Sequence, residues 1–245
     1  MDFHNKHLLE STVNQLQPQR LSNNVWLGPL NSVAQSEFLS QNNIKYIFGI
    51  MASQKCAYYL KDLSPKQFCC VSIDPHFNIQ KLTEDEGECL MRFNTQFTPA
   101  VSTISGNTIT NAVITSLDFQ KMLEDFLLLV HAIQHSDPSG GILLFSLNGN
   151  DNLLSTFALS YIQDAHNCDV AQSYSYLKSI RPSVKEFDEY GFFANEVAKF
   201  HLNHKARKQF DTSVSPMRTK RGACDVTDHE EAERRSPRVL KRTAQ

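Results

Sequence analysis

The chain has 245 residues, 41% hydrophobic and 20% charged, with a formal net charge of −2. That is the composition of a water-soluble globular protein with room for one good core. The charge is uneven: residues 1–204 hold 13 basic against 20 acidic side chains, and residues 205–245 hold 11 against 6. An acidic body disfavours nucleic-acid binding by that body, which would need a basic footprint, and the basic tail suggests a separate role.

No run approaches the ~18 apolar residues of a membrane span, and residues 1–20 read as a polar arm without the apolar core of a secretion signal. Val25-Trp26-Leu27-Gly28-Pro29-Leu30 predicts a short strand closed by a Gly-Pro turn. Asn31 or Ser32 is placed to cap a helix through about Gln41, with Val33, Phe38 and Leu39 inward. Ile44 to Ile50 is β-rich and reads as a buried strand. A helical piece is predicted over Gln54 to Leu63, and a strand over Phe68 to Ile73 ending at the turn signal Asp74-Pro75-His76. Residues 78–115 combine an acidic patch (Glu84, Asp85, Glu86, Glu88) with a Ser/Thr/Asn-rich run, and read as a surface insertion or lid.

A clear 3.6-residue period runs from Ser116 to Gln134 through Leu117, Met122, Leu123, Phe126, Leu127, Val130 and Ile133. Asp137 to Gly141 breaks it. Then Ile142 to Phe145 predicts a strand, a Gly-centred Asn-rich loop follows, and Leu153, Leu154, Phe157, Ala158 and Tyr161 mark a helix. Asp169 is placed to cap the next helix, with Val170, Tyr174 and Leu177 inward. Phe187 to about His204 reads as the last, and the stretch from about Ala206 as a disordered tail. Strands alternating with helices predict an α/β domain over 21–204, with a central, mostly parallel sheet flanked by helices.

The strand–loop–helix at 140–162 is the grammar of an anion site, yet it contains no Lys, Arg, His or Cys. The order of WLGPL, NIKYIFGI, a strand ending in Asp74, a long helix, this strand–loop–helix, DVAQSYSYLKSIRP and GFFANEVAKF resembles a dual-specificity, cysteine-based protein phosphatase domain over about residues 21–203. The resemblance implies the tyrosine and dual-specificity phosphatase fold. That family's signature is His-Cys-x-x-Gly-x-x-Arg-Ser/Thr. Laid on this chain, it puts Phe145 at the His, Ser146 at the nucleophile, Gly149 at the Gly, Asn152 at the Arg and Leu153 at the final hydroxyl. Asp74 falls near the family's general acid.

Each replacement has a chemical cost. A thiol is tuned to a thiolate near neutral pH by backbone N–H groups and a helix N-terminus, whereas a serine hydroxyl needs an adjacent base and Phe145 cannot be one. A guanidinium grips two phosphate oxygens and stabilises the transferring group; Asn152 offers a neutral amide. Asp151 adds negative charge at the mouth. The resemblance therefore implies a pseudophosphatase, whose loop remnant is Ser146, Leu147, Asn148, Gly149, Asn150, Asp151 and Asn152 and which acts by protein–protein binding. Weak phosphatase activity, or a Ser146-based hydrolase, is the alternative. The loop's N–H groups could still hold a weak anion such as a partner's carboxylate.

Other constellations favour ordinary structure. His131 and His135 stand four apart without an HExxH pattern and read as an exposed helix face. His201 and His204 suit a helix C-terminus. Cys56, Cys69, Cys70, Cys89, Cys168 and Cys224 have no CxxC spacing and read as free thiols, with Cys69-Cys70 in a core and a displaced nucleophile there as the remote alternative. No metal or cofactor is expected. In the tail, Ser215-Pro216-Met217-Arg218 and Ser236-Pro237-Arg238 resemble proline-directed kinase sites, and Arg238-Val239-Leu240 a cyclin-docking motif. Arg218 to Arg221, Arg234-Arg235 and Lys241-Arg242 resemble a split nuclear-import signal. These motifs predict a kinase or cell-cycle partner and a cytoplasmic or nuclear location.

Overall fold

A computed structural model describes residues 16–50, 63, 67–102, 112–186 and 192–213. The predicted helical piece apart from Leu63, the N-terminal arm up to residue 15, the start of the predicted last helix at 187–191 and the tail motifs lie outside these residues. Six strands form one sheet: β1 (Gln19–Arg20), β2 (Val25–Pro29), β3 (Ile44–Ile50), β4 (Cys69–Ile73), β5 (Val113–Ile114) and β6 (Gly141–Ser146). The spatial order is β1-β2-β6-β3-β4-β5. Only β1 is antiparallel to its neighbour; the other four pairings are parallel. The last strand in sequence is central in space, with Leu143 paired to both Trp26 and Ile47. Every residue of β6 is buried, as a parallel strand covered on both faces must be.

The helices follow from capping and period. β2 runs into a 3-10 turn at Leu30–Ala34, then α1 (Ser36–Gln41). The predicted single helix from Asn31 or Ser32 is thus two pieces, because Gln35 leaves helical geometry (φ −87°, ψ 83°). Asp118 caps α3 (Phe119–Ser136), its carboxylate accepting the Gln120 N–H at 2.9 Å. This cap puts Leu117 outside the helix, where it is 98% exposed rather than inward; the other predicted core positions of that helix are buried. α4 (Asn152–His166) ends on left-handed Asn167 (φ 49°). Asp169 and Gln172 form a capping box for α5 (Val170–Ile180). α6 runs from Phe192 to Ser213, past the expected boundary at 205. Among the described residues, no helix is long and apolar enough to cross a membrane.

The described parts of the stretch expected as a surface excursion pack on the sheet. Within it α2 (Glu84–Ser102) packs on β4 and buries Cys89 and Phe93, and Val113–Ile114 extends the sheet as β5. Its Asn94 side chain accepts the Ala112 N–H at 2.7 Å, joining helix to strand. The acidic run is the first turn of that helix. Glu86 accepts the Thr83 N–H at 2.8 Å while Thr83 Oγ1 accepts the Glu86 N–H at 3.3 Å. Acids there complement the helix dipole.

An aromatic spine joins sheet to helices. Phe48 of β3 meets Phe126 of α3 edge-on at 5.9 Å, and Phe126 meets Phe157 of α4 at 4.9 Å. Asp164 of α4, its side chain 5% exposed, takes His131 Nε2 of α3 at 2.6 Å and His204 Nε2 of α6 at 3.0 Å. His131 is therefore a helix tie as well as a surface residue. His204 lies well inside α6 rather than at its end.

At the opposite edge, Lys45 Nζ lies 2.8 Å from Asp137, which also accepts from Ser139 Oγ at 3.0 Å. The Lys45 hydrogen bond holds the Asp137 carboxyl below the ordinary carboxylate range. The stability this contributes is present above the unfolded value near pH 4 and is lost as pH falls through the lowered folded value. Asp137→Asn should lower stability at pH 7 by about 0.5–1 kcal/mol and by much less near pH 2, read from urea unfolding at the two pH values.

Candidate functional site

Because β2 to β6 run parallel, their C-terminal ends share one edge, and α2, α3 and α4 start there. The loop from Ser146 to Asn152 occupies the centre of that edge. Phe145 and Ser146 are both fully buried. Ser146 Oγ points into the loop and accepts the Gly149 N–H at 3.1 Å. Asn148 Oδ1 accepts the Asn150 N–H at 2.8 Å, an Asx turn. Leu147 and Asn148 form the exposed tip, and the Leu147 carbonyl accepts the Leu30 N–H at 3.4 Å. Two of the loop's N–H groups are thus spent on the loop's own side chains.

Gly149 is required by its backbone. Its φ of +73° lies in the left-handed region, and a Cβ there would run into Arg181 Nη2 and the backbone at Gly28 and Pro29. The positive φ is a backbone reason for glycine here, separate from the resemblance in spacing.

Arg181 is the residue that sequence reasoning missed. It follows α5 as the C-cap and is fully buried. Its Nε donates to Asn150 Oδ1 at 2.7 Å, its Nη2 to the Asn148 carbonyl at 3.5 Å, and its Nη1 to Gln19 Oε1 and the Gln17 carbonyl. Ser183 Oγ donates to the same Asn150 oxygen at 3.1 Å. Burial pushes the guanidinium down to about 10, so it remains charged at neutral pH. One cation therefore fastens the loop, the β1 edge and the end of α5 together. The only sequence signal was an Arg-Pro pair closing an amphipathic helix; its partners lie 31 to 164 residues away.

The remaining predicted positions are not assembled into a catalytic set by the described contacts. Asn152 begins α4, and its Oδ1 is buried without a hydrogen-bond donor. Asp151 is the N-cap residue but makes no side-chain cap bond. Leu153 is half-buried against the core. Asp74 is 5% exposed, and its Oδ1 accepts the His76 N–H at 2.9 Å, an ordinary turn start. It stands two strands from Ser146, about 10 Å by the sheet spacing. Cys70 and Cys89 are buried, and burial pushes the Cys69 thiol up to about 12, which removes any thiolate chemistry there near neutral pH. Among the described residues, no group of three His, Cys, Asp or Glu side chains could hold a metal ion.

The edge around the loop is acidic. Glu84, Asp85 and Glu86 start α2, Asp118 caps α3 and Asp151 precedes α4, all where the strands end. Helix N-termini offset these charges locally.

One family model, described as the YAL037W N-terminal domain, matches residues 16–123. The match runs across the segment expected as an insertion. No curated protein matches the chain. Solved structures similar to it include a leucine-rich-repeat and phosphatase-domain protein from Entamoeba histolytica, at 12% identity and a TM-score of 0.44, covering 83% of this chain and 99% of that one. The human tyrosine phosphatase-like serine/threonine/tyrosine-interacting protein is 13% identical with a TM-score of 0.47, covering 78% and 99%. Human DUSP28 is 11% identical with a TM-score of 0.44, covering 77% and 95%. These neighbours are proteins of the dual-specificity and tyrosine phosphatase fold.

Two outcomes test this account. Gly149→Ala and Arg181→Met should each destabilise the protein, the first by more than about 1 kcal/mol from backbone strain and the second by more than about 2 kcal/mol from orphaned buried acceptors, in denaturant titrations. A fragment of residues 16–123 lacks β6, which separates β2 from β3. It should show no cooperative thermal transition by circular dichroism.

Proposed function

We propose that this protein is a phosphatase-like module that does not hydrolyse phosphoesters and works by binding protein partners. The observation that carries the reading is the state of Ser146. Its hydroxyl is fully buried and accepts a hydrogen bond from the loop's own Gly149. A nucleophile must reach substrate and hand its proton to a base. Among the described residues no base is hydrogen-bonded to Ser146. Asn152 in place of a guanidinium and the acidic edge support the same conclusion, since both weaken the hold on a phosphoryl group.

The fold keeps its loop while losing the groups that would act in it, which favours selection for a shape. The acidic edge fits a partner with basic side chains. The tail's motifs fit a kinase or cell-cycle partner and a cytoplasmic or nuclear setting.

Purified full-length protein, assayed with an aryl phosphate and with phosphotyrosine and phosphoserine peptides, should give no turnover above buffer. Turnover lost in Ser146→Ala, with the variant still folded by circular dichroism, would overturn this reading in favour of a divergent phosphatase.

A further inference from the structure

We propose that Asn148 is a site of spontaneous deamidation, and that Ser146 and Arg181 hold the reaction off by pinning the Asn148–Gly149 peptide while the loop is closed. This inference stands independently of the proposed function. Asn148-Gly149 is the one Asn-Gly pair in the sequence. Glycine at the second position leaves the peptide nitrogen unshielded, because no side chain stands between it and the asparagine amide. Asn148 itself is exposed at the loop tip, where water reaches it.

In the reaction the Gly149 nitrogen gives its proton to a base in the solvent and attacks Asn148 Cγ. The Cγ–Nδ2 bond breaks, ammonia leaves with a proton returned by water, and a five-membered succinimide remains. Water then opens the ring at either carbonyl and yields aspartate or isoaspartate. One water is consumed and one ammonia released. The electrophile is already prepared: Asn148 Oδ1 accepts the Asn150 N–H at 2.8 Å. That donor stabilises the negative charge that develops on the same oxygen as the nitrogen attacks.

The nucleophile is withheld. The Gly149 N–H donates to the buried Ser146 Oγ at 3.1 Å, and the carbonyl of the same peptide, on Asn148, accepts Arg181 Nη2 at 3.5 Å. The peptide plane that must turn to bring nitrogen onto Cγ is thus fixed at both its N–H and its C=O. Gly149 is buried, with Arg181 and the backbone at Gly28 and Pro29 packed beside it. Deprotonating a buried, hydrogen-bonded N–H first requires local opening, so the closed loop sets the rate. In isoaspartate the former main-chain carbonyl of residue 148 becomes a free carboxylate and the chain gains a methylene. One event therefore reshapes the loop tip and removes the carbonyl that Arg181 holds.

The test incubates the full chain in mildly alkaline buffer beside a free peptide of residues 145–153. Aspartate and isoaspartate at position 148 are measured by peptide mapping with mass spectrometry. Conversion in the wild-type chain should run at least about tenfold slower than in the peptide. Ser146→Ala removes the acceptor and should speed conversion about threefold to tenfold. Ser146→Cys keeps a weaker acceptor and should fall between the two. Asp137→Asn lowers global stability at the far end of the sheet and should leave the rate at its wild-type value, which separates loop opening from unfolding. Equal rates in the folded chain and the peptide overturn the proposal. So does a rate raised in Asp137→Asn, or one unchanged in a Ser146→Ala or Ser146→Cys variant that is folded by circular dichroism.

Discussion

A buried guanidinium holds this structure's central loop. Arg181 reaches from the end of α5 into the underside of the Ser146–Asn152 loop and bonds there to Asn150, Asn148 and the β1 edge. Removing a cation from water is costly, and the cost is offset only where several acceptors converge on it. Here the acceptors come from two separate parts of the chain and the cation from a third. The loop, the first strand and the C-terminal half of the sequence must therefore be folded together before any of these contacts is complete.

That constraint fixes the shape of the loop. Gly149 is held at positive φ with Arg181 against it, and Ser146 Oγ closes the turn from within. Each contact is structural, and none requires a thiolate or a second arginine at 152. The fastening comes from behind the loop, through Arg181. The acidic residues at the same edge have a structural role as well: Glu86 and Asp118 cap helices whose N-termini favour negative charge.

The sheet imposes a second long-range dependence. β6 is the last strand in sequence, yet it lies between β2 and β3. The segment matched by the family model stops at residue 123, inside α3 and before this strand. The matched portion thus supplies the strands on both sides of β6 but not the strand that joins them. The tie from Asp164 to His131 and His204 repeats the pattern among the helices, joining α3, α4 and α6 through one carboxylate.

Local pattern was enough for much of this fold. The β-rich runs at 25–30, 44–50, 68–73 and 142–145 became strands, and the 3.6-residue period with Asp169 ahead of α5 became capped helices. Those features depend on neighbours within a few residues, so the sequence determined them. Local pattern did not mark Phe93 and Val113 as core residues: Phe93 is buried where α2 packs on β4, and Val113 lies in the strand that pairs with β4. Local pattern also failed at Leu117, which keeps the helical period but precedes the cap. The loop itself was legible as a Gly-centred, Asn-rich stretch between an apolar strand and a helix start. What holds the loop in place was not, because Arg181 and its partners are distant in sequence and only the tertiary structure brings a guanidinium, two asparagines and the β1 edge into one buried cluster.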